Sequence, residues 1–541
     1  MSEFIRRKLS SFELAVAVVF SVAAMVLQWV SWQHVGPLWR DEICVVNIAT
    51  LPTLGMVWEA MPHDHCPMLF LLLVRGWTAV GMGNSDLDLR VLGLVCGFVL
   101  LAALWLAGRK LGKRMPLISL SLAGLNFTVI RYGDSIRAYG LATALIILTL
   151  SLVWCCLEAP NRRRWLLAGV FAVLSVQTLY QNAFLLLAIC LGGMAVCVRR
   201  RLWRRACGVL SLGLTAAVSL LPYAVPLRHA QSWWLLSKAG INFNGFLSRI
   251  SEATGMLIGV WAVLILFAVL LGIGCVFIKT ASDDKPERID LLLFASLSLA
   301  LGLFGFGFFI YLSGLPTEPW YYIPALVFAA VCCDAILPRI HPLARVWVLG
   351  IAVVCAVYAW VSAQPTLRMR QTNGDLAAAL VASRAKPGDL IIVHPWYQGI
   401  TFARHYQGTT PWTTLPPLAD YRFHRYDQFK IQIQMVDPTR PVFQQIEAVL
   451  RSGNRVWVVG EISASRPSRA VSANLPPAPH GPQGWYDEPY TLAWGARLGS
   501  FLAFHAASCK AVEGLSANSV NPMESMKLVE ASGWRISAGS P

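Results

Sequence analysis

Apolar runs long enough to cross a bilayer recur along the chain from its start to about position 363, and beyond that point they shorten to the length of single strands. A membrane-crossing helix needs about 20 such residues. Eleven stretches qualify, at 12–30, 91–108, 115–130, 138–157, 165–180, 183–198, 206–226, 255–278, 290–313, 321–337 and 344–363. Within lipid a backbone must satisfy its own polar groups, so these stretches are predicted as helices rather than open sheet. The first has a basic flank and runs on into Trp29, Trp32 and Trp39. That is the pattern of a retained signal-anchor with an interfacial aromatic belt. Residues 31–90 are neither apolar enough to span nor polar enough to be disordered, and 42–60 and 68–82 read as helices lying along the headgroup boundary.

From 364 onward Pro, Gly and charged residues become frequent. Residues 375–385 predict a helix, Lys386 to Asp389 a turn and Leu390 to Val393 a buried strand. The same plan returns at 441–460, as a helix, a Ser452-Gly453-Asn454 turn and a strand from Arg455 to Val459. Alternating helix and strand predict an α/β domain with parallel pairing. Residues 462–485, rich in Pro and Ser, read as a loop. The expected fold is a polytopic α-helical membrane protein of about 11 transmembrane helices, residues 1–363, followed by an extracytoplasmic α/β domain, residues 364–541.

Composition agrees with that division: 56% of the 541 residues are hydrophobic and 14% charged, with a mean hydropathy of +0.55. Charge sets the orientation. One alternating set of connections carries twenty Lys and Arg, from Arg6, Arg7 and Lys8 to Arg339 and Arg345, and the opposite set carries eight. The positive-inside rule then places the amino terminus in the cytoplasm and the carboxyl-terminal domain on the outer side of the membrane. Most of the net charge of +16 thereby faces anionic headgroups, and nucleic-acid binding is not needed to explain it. The thirteen cysteines form no CxxC pair and fall mostly in apolar stretches. Cys44 and Cys66 share one outer loop and could pair in an oxidising compartment.

Chemistry concentrates at the outer ends of the spans, in Trp39-Arg40-Asp41-Glu42, His63-Asp64-His65-Cys66-Pro67, Arg131 to Tyr139, and Glu318-Pro319-Trp320-Tyr321-Tyr322. These clusters supply carboxylates to take a proton, guanidinium groups whose planar donors suit phosphate oxygens, and aromatic faces for sugar or lipid. Asp41 is the candidate base for an acceptor hydroxyl, and Glu42 either shares that chemistry or pairs with a nearby Arg. Arg137, then Arg131, are the candidate phosphate ligands, and Asp64, His65, Tyr139, Tyr321 and Tyr322 would shape the donor and acceptor sites. Asp41 could instead only cap a helix, and Arg131 and Arg137 could only meet lipid headgroups. No metal-ligand set is evident, although a divalent cation at His63, Asp64 and His65 is left open.

In order along the chain, Asp41-Glu42, His65 with Pro67, Gly81 to Arg90, Gly108 to Arg114, and Arg137 with Tyr139 resemble the motifs of the GT-C glycosyltransferases. The similarity is greatest to the bacterial relatives of protein O-mannosyltransferases and lipid A aminoarabinose transferases. The resemblance implies an inverting enzyme that moves a sugar from a polyprenyl phosphate to an envelope lipid, glycan or protein, with the first acid of the pair as base. The sequence departs from the family at His65-Cys66-Pro67, where the family has two prolines, and at the lone Pro324 near the tenth span. A lipid-linked-glycan transporter or flippase, or a non-catalytic glycan-binding scaffold, are the alternatives. Ionisable or broken-helix features expected of a secondary transporter are scarce in the spans.

Overall fold

A computed structural model describes residues 3–64, 66–231, 233, 243–277, 286–313, 317–340, 343–461, 477–478, 485, 487–516 and 518–535. They fall into two contact units. One, the membrane unit, comprises Met1–Gln33, Cys66–Val225 and Gly240–Leu367, and the other, the mixed unit, comprises His34–His65, Pro226–Ala239 and Arg368–Pro541. The outer loop predicted between the first two spans is thus divided, with helices Arg40–Ala49 and Leu54–Ala60 in the mixed unit and Met68–Ala79 in the membrane unit.

The protein is a polytopic helical membrane protein. Among the described residues nine helices are long and apolar enough to cross a bilayer: Arg7–His34, Asp86–Gly112, Tyr139–Glu158, Asn182–Arg199, Trp203–Gln231, Ile258–Cys275, Pro286–Leu312, Pro319–Arg339 and Ala344–Ala363. Two of the eleven expected spans are not among them. Residues 165–180 lie in a helix of 17 residues, Arg162–Thr178, which opens on three arginines. The stretch at 115–130 is broken. A short helix, Leu117–Ser119, runs into a π-helical turn, and a new helix begins at Phe127, where the Asn126 side chain accepts from the Thr128 N–H at 2.8 Å. A break inside a membrane protein needs partners for the freed backbone groups. Asn126 supplies one for the new helix, and Asp334 caps the first turn of the short helix before the break, its carboxylate accepting from the N–H groups of Ile118 and Ser119 at 2.8 and 2.9 Å and from the Ser119 hydroxyl at 2.6 Å. Pro319–Arg339 and Tyr139–Glu158 are the most enclosed spans, with 94% and 83% of their apolar windows buried, against 22% for Trp203–Gln231 and Ile258–Cys275. The former build the interior of the bundle, and the latter expose the apolar surface that lipid must cover.

The mixed unit is built on a five-stranded sheet: β1 (Leu390–His394), β2 (Trp412–Thr414), β3 (Arg455–Gly460), β4 (Ala506–Val512) and β5 (Lys527–Trp534), in the order β2-β1-β3-β5-β4. β1 pairs in parallel with β2 and β3, as the repeated helix-turn-strand plan predicts, and β5 runs antiparallel to both β3 and β4. Alternate residues of β1 and β3 enter different cores. Ile392, Val456 and Val458 pack with Trp396, Phe429, Ile446, Trp494 and Leu498, while Ile391, Val393, Trp457 and Val459 pack with Ala377, Val381, Phe402 and Met526. A strand buried on both faces needs an unbroken apolar run, which is why β1 and β3 were readable from sequence. The predicted helices and turns appear as Gly374–Arg384 and Arg440–Arg451, with Gly388 at φ +95° in the first turn. Most of the predicted 462–485 loop lies outside the described residues.

The order of these strands has a functional consequence. From β1 the chain moves to one side to form β2 and returns on the other side as β3, so the carboxyl end of β1 is a point where the winding reverses. In open parallel sheets such a point leaves a crevice in which ligands bind.

Candidate active site

In the mixed unit the end of β1 leads through His394, Pro395 and Trp396 to Tyr397, whose ring supports the Arg40 guanidinium at 4.5 Å. Arg40 also donates to the Met523 carbonyl at 2.9 Å and forms an ion pair with Glu524, a fully buried carboxylate that accepts from the Thr401 hydroxyl at 2.5 Å. Burial pushes the Glu524 carboxyl up, and Arg40 and Thr401 pull it partly back. The helix Arg40–Ala49 is thus anchored at the sheet's reversal point by its first residue. Its approach is fixed by the chain before it, since the Val35 carbonyl accepts from the Gln371 N–H at 2.7 Å.

The two acids of the pair are placed very differently. Glu42 is fully buried, and its carboxylate accepts from the Trp39 N–H at 3.3 Å, closing the first turn. An acid there meets otherwise unpaired backbone donors and the positive end of the helix. Asp41 keeps 19% side-chain exposure and sits 3.2 Å from His424 Nε2 and 3.6 Å from Arg40 Nε. It is therefore a partly buried carboxylate, flanked by the imidazole of His424 and the guanidinium of Arg40 and still partly exposed.

His424 belongs to a tightly held turn. Arg422 and Arg425 both pair with Asp420, and Arg425 also engages Asp427 with donors at 2.7 and 2.9 Å. Burial raises both carboxyls, but the arginines overcome it, and Asp420 and Asp427 lie below their ordinary values. Asn47 donates to the Arg422 carbonyl at 2.9 Å, and His63 Nδ1 lies 3.3 Å from the His424 carbonyl. The His63 ring stacks with Trp233 and Phe423 at centroid separations of 5.2 and 5.8 Å, and its burial lowers its basicity. Asp64 is buried beside it, and His65 lies outside the described residues. Sequence reasoning missed His424. The run Tyr421-Arg422-Phe423-His424-Arg425-Tyr426, alternating aromatic and basic residues, was the signal that could have found it.

In the membrane unit Arg137 lies over the Tyr139 ring at 6.0 Å, and Tyr139 meets Tyr321 at 6.2 Å. Arg131 lies 5.6 Å from the Phe127 ring and is 9% exposed. Tyr322 is buried against Phe246 and Phe306, so its ring serves packing. Arg137, Tyr139 and Tyr321 are thus brought into one cationic and aromatic cluster, a surface suited to a charged, partly apolar group. Cys44 and Cys66, the candidate disulfide, are both free buried thiols. Cys44 Sγ lies 3.8 Å from the His63 carbonyl. Among the described residues no three His, Cys, Asp or Glu side chains form a group that could hold a metal ion.

No protein-family model matches the chain, and no curated protein matches it either. Among solved structures it is similar to ArnT from Cupriavidus metallidurans in the apo state, at 14% identity and a TM-score of 0.50 over 82% of this chain and 92% of that one. The same protein bound to undecaprenyl phosphate aligns over 97% and 99% of the two chains at 14% identity and a TM-score of 0.48. The Archaeoglobus fulgidus oligosaccharyltransferase in complex with Zn and sulfate gives 12% identity and a TM-score of 0.42 over 73% of this chain and 62% of that one. The chain shares its fold with the apo ArnT structure, and its ordered motifs resemble those of the GT-C glycosyltransferases. At this identity the likeness extends to fold, and function has to be argued from the side chains.

Proposed function

We propose that the protein is an inverting glycosyltransferase that moves a sugar from a polyprenyl phosphate to a hydroxyl of an envelope lipid, glycan or protein on the outer face of the bacterial inner membrane. The observation that carries this reading is the state of Asp41, a carboxylate left partly exposed at the start of a helix while its neighbours Arg40 and Glu42 are anchored in structure. The undecaprenyl phosphate bound to ArnT supports the donor class.

In the proposed reaction the acceptor oxygen attacks the anomeric carbon as its proton passes to Asp41. The bond from that carbon to the phosphate oxygen breaks with its electron pair remaining on the phosphate, and polyprenyl phosphate leaves. One displacement inverts the anomeric centre, and no covalent sugar-enzyme intermediate is required. Arg137, with Arg131, supplies the charge that stabilises the departing phosphate. Tyr139 and Tyr321 provide faces for the sugar or the first isoprene unit. The amino terminus is cytoplasmic in this reading, which places Arg40–Ala49 and the sheet on the donor's outer side.

The test is release of undecaprenyl phosphate, and transfer of labelled sugar to a membrane lipid extract, from undecaprenyl-phosphate-linked hexoses and pentoses supplied to the purified protein. Asp41→Asn is expected to lower turnover about 10²- to 10⁴-fold, the usual contribution of a general base, while the protein stays folded. Undiminished turnover in the variant would remove Asp41 from the mechanism.

A further inference from the structure

From the geometry of the mixed unit we infer that His424 is a positioning residue for Asp41, and that the carboxyl-terminal sheet thereby completes the catalytic base. The inference rests on the glycosyl-transfer reading above and adds to it the source of the base's orientation.

His424 Nε2 lies 3.2 Å from Asp41 Oδ1, and both side chains are largely enclosed, at 14% and 19% exposure. The other ring nitrogen, Nδ1, is buried and has no hydrogen-bond partner among the described residues. A proton on Nε2, donated to Asp41, fits this environment, because Nδ1 then carries only a lone pair. The burial of Nδ1 also decides which member of the pair meets substrate. In the arrangement of a hydrolase triad the carboxylate orients the ring, and the far nitrogen takes the proton from the nucleophile. Here the far nitrogen is closed off, so the imidazole orients and the carboxylate reacts.

The ring's own position is over-determined. Its face stacks on Tyr426 at 6.0 Å, and Tyr426 packs edge-on against Trp396 at the end of β1. Its backbone carbonyl is met by His63, the preceding Arg422 and Phe423 are held by Asn47 and the His63 ring, and the following Arg425 is held by two carboxylates. A donor fixed this firmly selects one rotamer of Asp41. Arg40, the second nitrogen near that carboxylate, is engaged with Glu524 and Met523 and cannot move to replace it. Near the sheet's reversal point, where other α/β proteins bind a ligand, Arg40 meets Tyr397, Met523 and Glu524 and fixes the residue next to Asp41.

The experiment compares His424→Phe, His424→Gln and His424→Asn in the full-length protein, with wild type and Asp41→Asn alongside. The readouts are release of undecaprenyl phosphate and the melting temperature. Phe keeps the ring and removes the donor, and kcat is expected to fall about 10- to 100-fold, the scale of misplacing a catalytic group by about 1 Å. The KM for the donor is expected to change less than about twofold. Gln, whose amide reaches the same place, should recover most of that loss, whereas the shorter Asn should not. Wild-type kcat in His424→Phe overturns the inference, and so does a folded Gln variant no faster than Asn. If Phe does not fold, the contrast between Gln and Asn decides.

If wild-type protein releases no undecaprenyl phosphate from any donor, the glycosyl-transfer reading fails. The pair is then judged by itself with ¹⁵N-histidine NMR, using His424→Gln to assign the ring. Asp41→Asn should move the His424 Nε2 resonance, and an unmoved resonance overturns the pairing as well.

Discussion

At position 394 a buried imidazole sets an acid limit on the sheet. His394 closes β1 with 2% exposure, and Nδ1 lies 3.3 Å from the Leu415 carbonyl. Burial lowers its pKa from 6.5 to about 4, against the opposing effect of that carbonyl and of Thr491. The unfolded chain therefore binds the proton first as pH falls. Stability from this group is intact above about pH 6.5, is lost between there and pH 4, and amounts to about 3 kcal/mol. Hydrogen-exchange protection of the 390–394 amides, measured against pH, should fall across that window in wild type and stay flatter in His394→Asn. Equal slopes would place the acid sensitivity elsewhere. The same contrast between neighbouring side chains runs through the acidic pair: Glu42 closes a helix turn, and Asp41, one residue before it, stays partly exposed beside His424. Sequence named both acids as candidates, and only their surroundings separate them.

Helices in this protein are defined by what their ends and small residues meet. Glu488–His505 crosses the end of β1 at Gly495, where an added Cβ would lie 2.5 Å from His394 Nε2. The ring is pinned on its other side, so it cannot withdraw. Gly495→Ala would gain about 1 kcal/mol in helix propensity and lose up to about 3 kcal/mol to overpacking. A lower melting temperature for the carboxyl-terminal sheet is expected, and an unchanged or higher one would show that the ring has room to move. Among the spans, the 115–130 stretch shows the limit of hydropathy. Its composition suits a crossing helix, yet Asn126 restarts the helix and Asp334, more than two hundred residues later, caps the short helix that precedes the break. Window averages contain neither effect.

For the whole molecule, orientation is the prediction that matters most, because the proposed base, acting on a donor at the outer face, must itself be outside. Val436 is fully exposed on the mixed unit. A Val436→Cys variant should react with a membrane-impermeant maleimide in intact spheroplasts as fully as after permeabilisation. Labelling only after permeabilisation would reverse the topology. The distribution of Lys and Arg supports the outward assignment, since each charge near the inner surface gains about 1 kcal/mol from anionic headgroups.

Hydropathy determined nine spans among the described residues, because lipid admits few alternatives to an apolar helix, and it determined β1 and β3, because a strand covered on both faces must be apolar throughout. The acidic pair after the first span was also legible, as was the basic and aromatic cluster around Arg137. The remaining strands were not: β2 spans three residues, and β4 and β5 lie at the sheet edge and beside it, where partial exposure removes the signal. Tertiary structure alone brought His424 to Asp41 across almost four hundred residues and set Arg40 against Glu524. Such pairs arise from chain crossings, and no local pattern encodes a contact whose two halves are separated by the whole bundle.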